Sequence, residues 1–109
     1  MPFADNRMES RKPLKVSVDL SSVDARLPAR GGITENVSAH GARVVVSQEL
    51  PRDLRLNVRS MLGSLKSRAR VVYCERLVNG SFAVGLELFA TAGEWVIPGT
   101  LPEMSREPA

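Results

Sequence analysis

Four stretches of this chain alternate apolar with other residues at a period of two. Leu14, Val16, Val18 and Leu20 enclose Lys15, Ser17 and Asp19, and Ala42, Val44 and Val46 enclose Arg43 and Val45. Leu54, Leu56 and Val58 enclose Arg55 and Asn57, and Phe82, Val84, Leu86 and Leu88 enclose Ala83, Gly85 and Glu87. On an extended backbone successive side chains point to opposite faces, so each stretch is predicted as a strand with one apolar face. Two more strands are predicted over residues 33–38 and 65–77. The latter meets residues 81–88 at Asn79-Gly80, a pair that favours a type I′ hairpin turn. Six short antiparallel strands of this kind predict an all-β fold, a small six-stranded barrel, because closure leaves no unpaired edge.

The rest of the chain frames that barrel. At 109 residues it is one domain. Residues 1–10 have no apolar periodicity, and Pro13 stops any local helix, so 1–13 is expected to be a flexible N-terminal segment. The barrel domain is expected over 14–97, followed by an irregular tail at 98–109 that holds Pro98, Pro102 and Pro108. Residues 21–32 read as a polar connection containing Pro28 and Gly31-Gly32. Residues 90–97 allow one or two helical turns, with Trp95 and Val96 capping a barrel end. Gly85, inside a strand, predicts a bulge or the close approach of another group.

Composition limits the function. The single cysteine, Cys74, excludes an internal disulfide framework and suits a reducing compartment. No signal peptide and no stretch long enough to span a membrane is present, so a cytoplasmic protein is expected. One histidine and one cysteine do not make a zinc site, and no metal or other cofactor is expected. His40 stands two residues from Ser38, but no third group orients it and no oxyanion site is evident, so it reads as an exposed turn residue and no enzyme is expected. The net charge of +3 makes an anionic partner plausible. Arg55, Arg59, Lys66, Arg68 and Arg70 read as the charges of a solvated strand face. Aromatic residues make up 5% of the chain, too few for the stacking platforms of a nucleic-acid binder.

The polar turn between the second and third strands stands apart from this pattern. Thr34-Glu35-Asn36-Val37-Ser38-Ala39-His40-Gly41 places an amide and a hydroxyl two residues apart, which puts them on one face of an extended backbone. Gly41 falls where the chain reverses and where a positive φ is easily accepted. Upstream, Arg7-Met8-Glu9-Ser10-Arg11 sets two arginines four apart. Arg11 and Asn36 lie 25 positions apart, room for a strand, a loop and a returning strand.

An R-x-x-x-R box followed by an N-x-S-x-x-G box resembles the PilZ domain family, over about residues 7–89. The resemblance implies a split-barrel type of fold and binding of cyclic di-GMP. It implies that Arg7 and Arg11 clamp the ligand against a wall formed by Asn36, Ser38 and Gly41. Cyclic di-GMP offers two phosphates and two guanine edges, and the planar fork of arginine can donate paired hydrogen bonds to either. Many members have aspartate where Asn36 stands, and often a further arginine where Asn6 stands. Arg26 and Arg30 also satisfy R-x-x-x-R. They follow the first strand, however, where the family's box precedes it, and so read as loop charges. The protein is expected to be a monomer or weak dimer that passes its signal to an unidentified effector protein. The alternatives are a PilZ-like adaptor that has lost nucleotide binding, and a small basic barrel that binds nucleic acid.

Overall fold

In the computed structural model, residues 11–24 and 27–95 are described, and they form seven strands and no helix. The strands are β1 (Lys12–Pro13), β2 (Ser17–Ser22), β3 (Arg30–Val37), β4 (Gly41–Val46), β5 (Arg55–Ser60), β6 (Lys66–Arg76) and β7 (Phe82–Ala92). Every pairing is antiparallel. The order around the sheet is β3-β2-β5-β6-β7-β4, and a β3–β4 pairing closes it into a six-stranded barrel, as the alternating pattern implies. The short strand β1 is additional. It continues along β3 beyond the end of β2, with Lys12 opposite Val37 and Pro13 opposite Asn36.

The apolar face of each strand fills the interior. Leu14, Val16, Val18 and Leu20 are buried, as are Ala42, Val44 and Val46, Leu56 and Val58, and Val84, Leu86 and Leu88. Between β1 and β2 the ladder breaks, and a buried side chain repairs it. The Thr34 hydroxyl accepts from the Val16 N–H at 3.0 Å and donates to the Leu14 carbonyl. Without it those backbone groups would lie in the core with no partner. The β3–β4 register slips between Thr34 and Asn36, leaving Glu35 as the extra residue of a bulge.

Several boundaries differ from expectation. Residues 21–32 are not simply a connection: Ser21 and Ser22 end β2, and Arg30, Gly31 and Gly32 begin β3. Strand β3 packs so closely there that a Cβ on Gly32 would sit 2.7 Å from Val44 Cγ1, so Gly32 marks tight packing, not a loop. Asn79 does not take the positive φ that a type I′ turn needs, whereas Gly80 does, at 91°. The Gly80 N–H bonds the Leu77 carbonyl at 3.0 Å and the Leu77 N–H bonds the Ser81 carbonyl at 2.8 Å, a three-residue loop with a glycine bulge. No helical turn begins at residue 90. Strand β7 runs on to Ala92, tied to β6 by the Ser67–Thr91 hydroxyl pair at 2.8 Å. Trp95 packs against the core, and Val96 lies outside the described residues.

Candidate functional site

The hairpin between β3 and β4 is closed by its own backbone. The Ser38 N–H donates to the Gly41 carbonyl at 2.8 Å, and the Ser38 hydroxyl lies 3.4 Å from the same oxygen. The turn is pinned to β7 by the Leu88 N–H, which donates to the His40 carbonyl at 2.9 Å. Ser38 is therefore buried in the turn, and its hydroxyl is not presented on the surface as the sequence suggests. Gly41 does not adopt a positive φ. The reason for glycine there is crowding: a Cβ would sit 3.2 Å from an Arg11 guanidinium nitrogen, 3.3 Å from the Leu86 carbonyl oxygen and 3.5 Å from the Ser38 hydroxyl.

Arg11 stands immediately before β1, whose pairing with β3 brings it to the hairpin. Its Nη1 donates to Asn36 Oδ1 at 2.9 Å. Four of the five candidate residues, Arg11, Asn36, Ser38 and Gly41, thus meet at one end of the β3–β4 hairpin. Arg7 lies outside the described residues, as does Arg26. Arg30 is not a loop residue but the first of β3, and its guanidinium bonds the Gln48 side chain.

A second arginine shows by contrast what Arg11 lacks. Arg43, opposite Asn36 in the β3–β4 register, donates to Glu35 at 2.7 Å, to the Tyr73 hydroxyl at 2.9 Å and to Glu75 at 3.2 Å. Its pKa is raised, first by Glu35 and then by Tyr73. Its guanidinium carbon also lies 5.8 Å from the Tyr73 ring centroid. Arg43 is fully engaged, while Arg11 is exposed and, among the described residues, is held by one neutral amide. The sequence reading missed this cluster. Its one signal was Gly85: a Cβ there would lie 2.1 Å from Tyr73 Cε2, so the tyrosine ring is the group that approaches.

A family model of the PilZ domain matches residues 5–94. The chain belongs to the PilZ domain family. PilZ domains form a cyclic di-GMP receptor family, and they are binding modules, not enzymes. Among solved structures, this PilZ domain is similar to the PilZ domain of CeSA from a cellulose-synthesizing bacterium. The identity is 26%, the TM-score is 0.54, and 88% of this chain and 89% of that one are covered. It also shares its fold with the Bacillus subtilis inhibitor of motility (MotI/DgrA), at 20% identity and a TM-score of 0.60. That likeness covers 79% of this chain but 44% of the other, so the domain spans less than half of that protein. Among curated proteins none matches.

The described residues hold no cluster of three metal-ligating side chains, and no helix long and apolar enough to cross a membrane. The hairpin end offers hydrogen-bonding chemistry: a guanidinium fork, a carboxamide and a turn in which a side chain at position 41 would crowd Arg11.

Proposed function

We propose that this PilZ domain binds cyclic di-GMP between Arg7 and Arg11 on one side and the Asn36-Ser38-Gly41 hairpin on the other. The observation that carries the reading is the 2.9 Å contact of Arg11 with Asn36 across 25 residues of sequence, beside a glycine whose Cβ would crowd the arginine. Arg11 exchanges one neutral bond for paired, charge-assisted bonds to a phosphate or to guanine O6 and N7. Asn36 then offers its carbonyl oxygen to a guanine N–H. Ser38 acts from within the turn, setting the hairpin shape that keeps Gly41 against Arg11. The bound form passes its signal to an effector protein in the cytoplasm, where the half-buried Cys74 stays reduced.

Calorimetry with cyclic di-GMP tests the reading, with cyclic di-AMP as the control for guanine recognition. Saturable heat with the guanine nucleotide alone is expected. No heat and no thermal shift at high micromolar ligand would overturn the proposal in favour of an adaptor without nucleotide binding. Asn36 in place of the family's usual aspartate is the feature that keeps that second reading open.

A further inference from the structure

On the barrel ring the β5–β6 pair lies opposite the β3–β4 hairpin, separated from it by β2 on one side and β7 on the other. Its outer face gathers the cations that look scattered in the sequence. Arg55 stands opposite Arg70, Arg59 opposite Lys66, and Arg68 opposite Asn57. Like charges directly opposite each other on a sheet oppose folding. Nor does the core require them, since Leu56, Val58 and Ala69 fill the interior from these strands.

The five cations are not equally engaged. Arg59 pairs with Asp19 at 3.2 Å, and Arg70 with Asp53 at 2.7 Å and Glu87 at 2.9 Å. The Arg55 guanidinium lies over Phe89, 5.8 Å from the ring centroid. Lys66 and Arg68 are exposed and have no ion-pair partner among the described residues. Arg59, Lys66 and Arg68 wall a shallow groove of about 480 Å³ whose lining includes Ser67, Ala90 and Ala92. Beside it Phe89 is 37% exposed, and Met61 and Leu62, in the β5–β6 connection, are 55% and 58% exposed. Arginine, methionine and aromatic residues are the types enriched in protein interfaces.

We propose that this face docks an extended acidic segment of a partner protein. Outward positions on a strand recur at roughly 6.7 Å. Carboxylates at alternate positions of an extended segment have the same repeat and share one face, so they reach successive cations while the small side chains between them point away from the barrel. One feature favours a protein over a nucleic acid: the stripe presents Phe89 but no run of stacking rings. The docking face and the nucleotide site occupy opposite sides of the ring, so this inference stands whether or not the nucleotide binds.

The test is an NMR titration of the 109-residue chain at low salt with a synthetic peptide of alternating glutamate and alanine. Oligothymidylate and vesicles containing phosphatidylserine are the comparison probes. Saturable shifts at Asn57, Arg59, Lys66, Arg68 and Phe89 are expected. The double substitution Lys66→Gln/Arg68→Gln should weaken the peptide by about tenfold, whereas Arg11→Ala should leave it unchanged. The double variant should melt no lower than the parent, because it removes a like-charge pair, so loss of binding is separable from loss of fold. Shifts elsewhere on the barrel, no saturation, an unaffected double variant, or tighter binding of the oligonucleotide or vesicles would each overturn the assignment.

Discussion

Gly85→Ala should destabilise the barrel, and Tyr73 should be the reason. An alanine Cβ at position 85 would lie 2.1, 2.5 and 2.6 Å from three atoms of the Tyr73 ring, so the ring must leave. The backbone itself accepts alanine, because the φ of Gly85 is not positive. When the ring moves, three interactions go with it. Tyr73 is 41% exposed, so the loss of its half-buried ring costs about 1 kcal/mol. Its contact with the Arg43 guanidinium is worth roughly 0.5–1 kcal/mol at an exposed site. The 2.9 Å hydrogen bond between them, discounted for exposure, adds about 1 kcal/mol. Replacing glycine where the backbone tolerates it returns about 0.4–1 kcal/mol.

The net cost is about 2 kcal/mol, which for a domain of this size lowers Tm by roughly 8–16 °C. Because the cost runs through one ring, it should vanish once the ring is gone. In a Tyr73→Ala background, Gly85→Ala should be neutral or stabilising. Urea denaturation of the four proteins of this cycle measures the coupling. If the two substitutions are additive within about 0.5 kcal/mol, Tyr73 does not lie across Gly85 in the way described here.

Arg11→Ala should weaken cyclic di-GMP by about ten- to hundredfold, the worth of one charge-assisted contact, while Arg30→Ala should change it by less than about threefold; calorimetry showing the reverse ranking would contradict the site. Thr34→Val should cost about 2 kcal/mol by leaving the Val16 N–H and Leu14 carbonyl unpaired in the core, and Thr34→Ser should restore most of it in thermal melts. The folded-state pKa of Arg43 lies above the ordinary arginine value, so its contribution is complete below that value and is lost only as pH rises through the higher one. The difference in Tm between wild type and Arg43→Gln should therefore stay constant from neutral pH to about pH 9; a difference that shrinks over this range would show that the arginine titrates.

The barrel was legible because its interior is filled by the period-two residues themselves. Leu14 through Leu20, Ala42 through Val46 and Val84 through Leu88 bury the side chains that the alternation assigns to the core, and Phe82 packs half-buried against them. The errors fall where a strand carries no such alternation. Arg30-Gly31-Gly32 has no apolar face to signal a strand, and only the proximity of Val44 explains why glycine belongs at position 32. Thr91 and Ala92 extend β7 through hydroxyl pairing with Ser67, which no local pattern announces. The site divides in the same way. The resemblance to PilZ domains pointed to Arg7, Arg11, Asn36, Ser38 and Gly41, of which the last four meet at the hairpin end. Not readable was that Ser38 is buried, that Gly41 serves close approach and not an unusual φ, or that Arg43 is absorbed by Glu35, Tyr73 and Glu75. Those facts depend on register across strands far apart in sequence, as does the convergence of Arg55, Arg59, Lys66, Arg68 and Arg70 on one face.

Asn36 deserves a separate test, because two effects of opposite sign meet there. In the free protein Asn36 tethers Arg11 through a neutral acceptor. An aspartate would turn that tether into an exposed ion pair, worth roughly 0.5 kcal/mol and lost when Arg11 turns to the ligand. In the proposed complex the same aspartate would accept a guanine N–H with a full negative charge, in a site from which the ligand has displaced water. A charge-assisted bond is about twice as strong as a neutral one, a gain of about 1.5 kcal/mol over asparagine. The gain exceeds the tether by about 1 kcal/mol, so Asn36→Asp should tighten cyclic di-GMP by about fivefold. Added salt should leave most of that improvement in place, because the stronger bond lies beneath the ligand while the exposed tether is screened. A calorimetric titration in which Asn36→Asp binds more weakly than wild type would mean that release of Arg11 dominates, and that Asn36 acts on the arginine and not on the guanine.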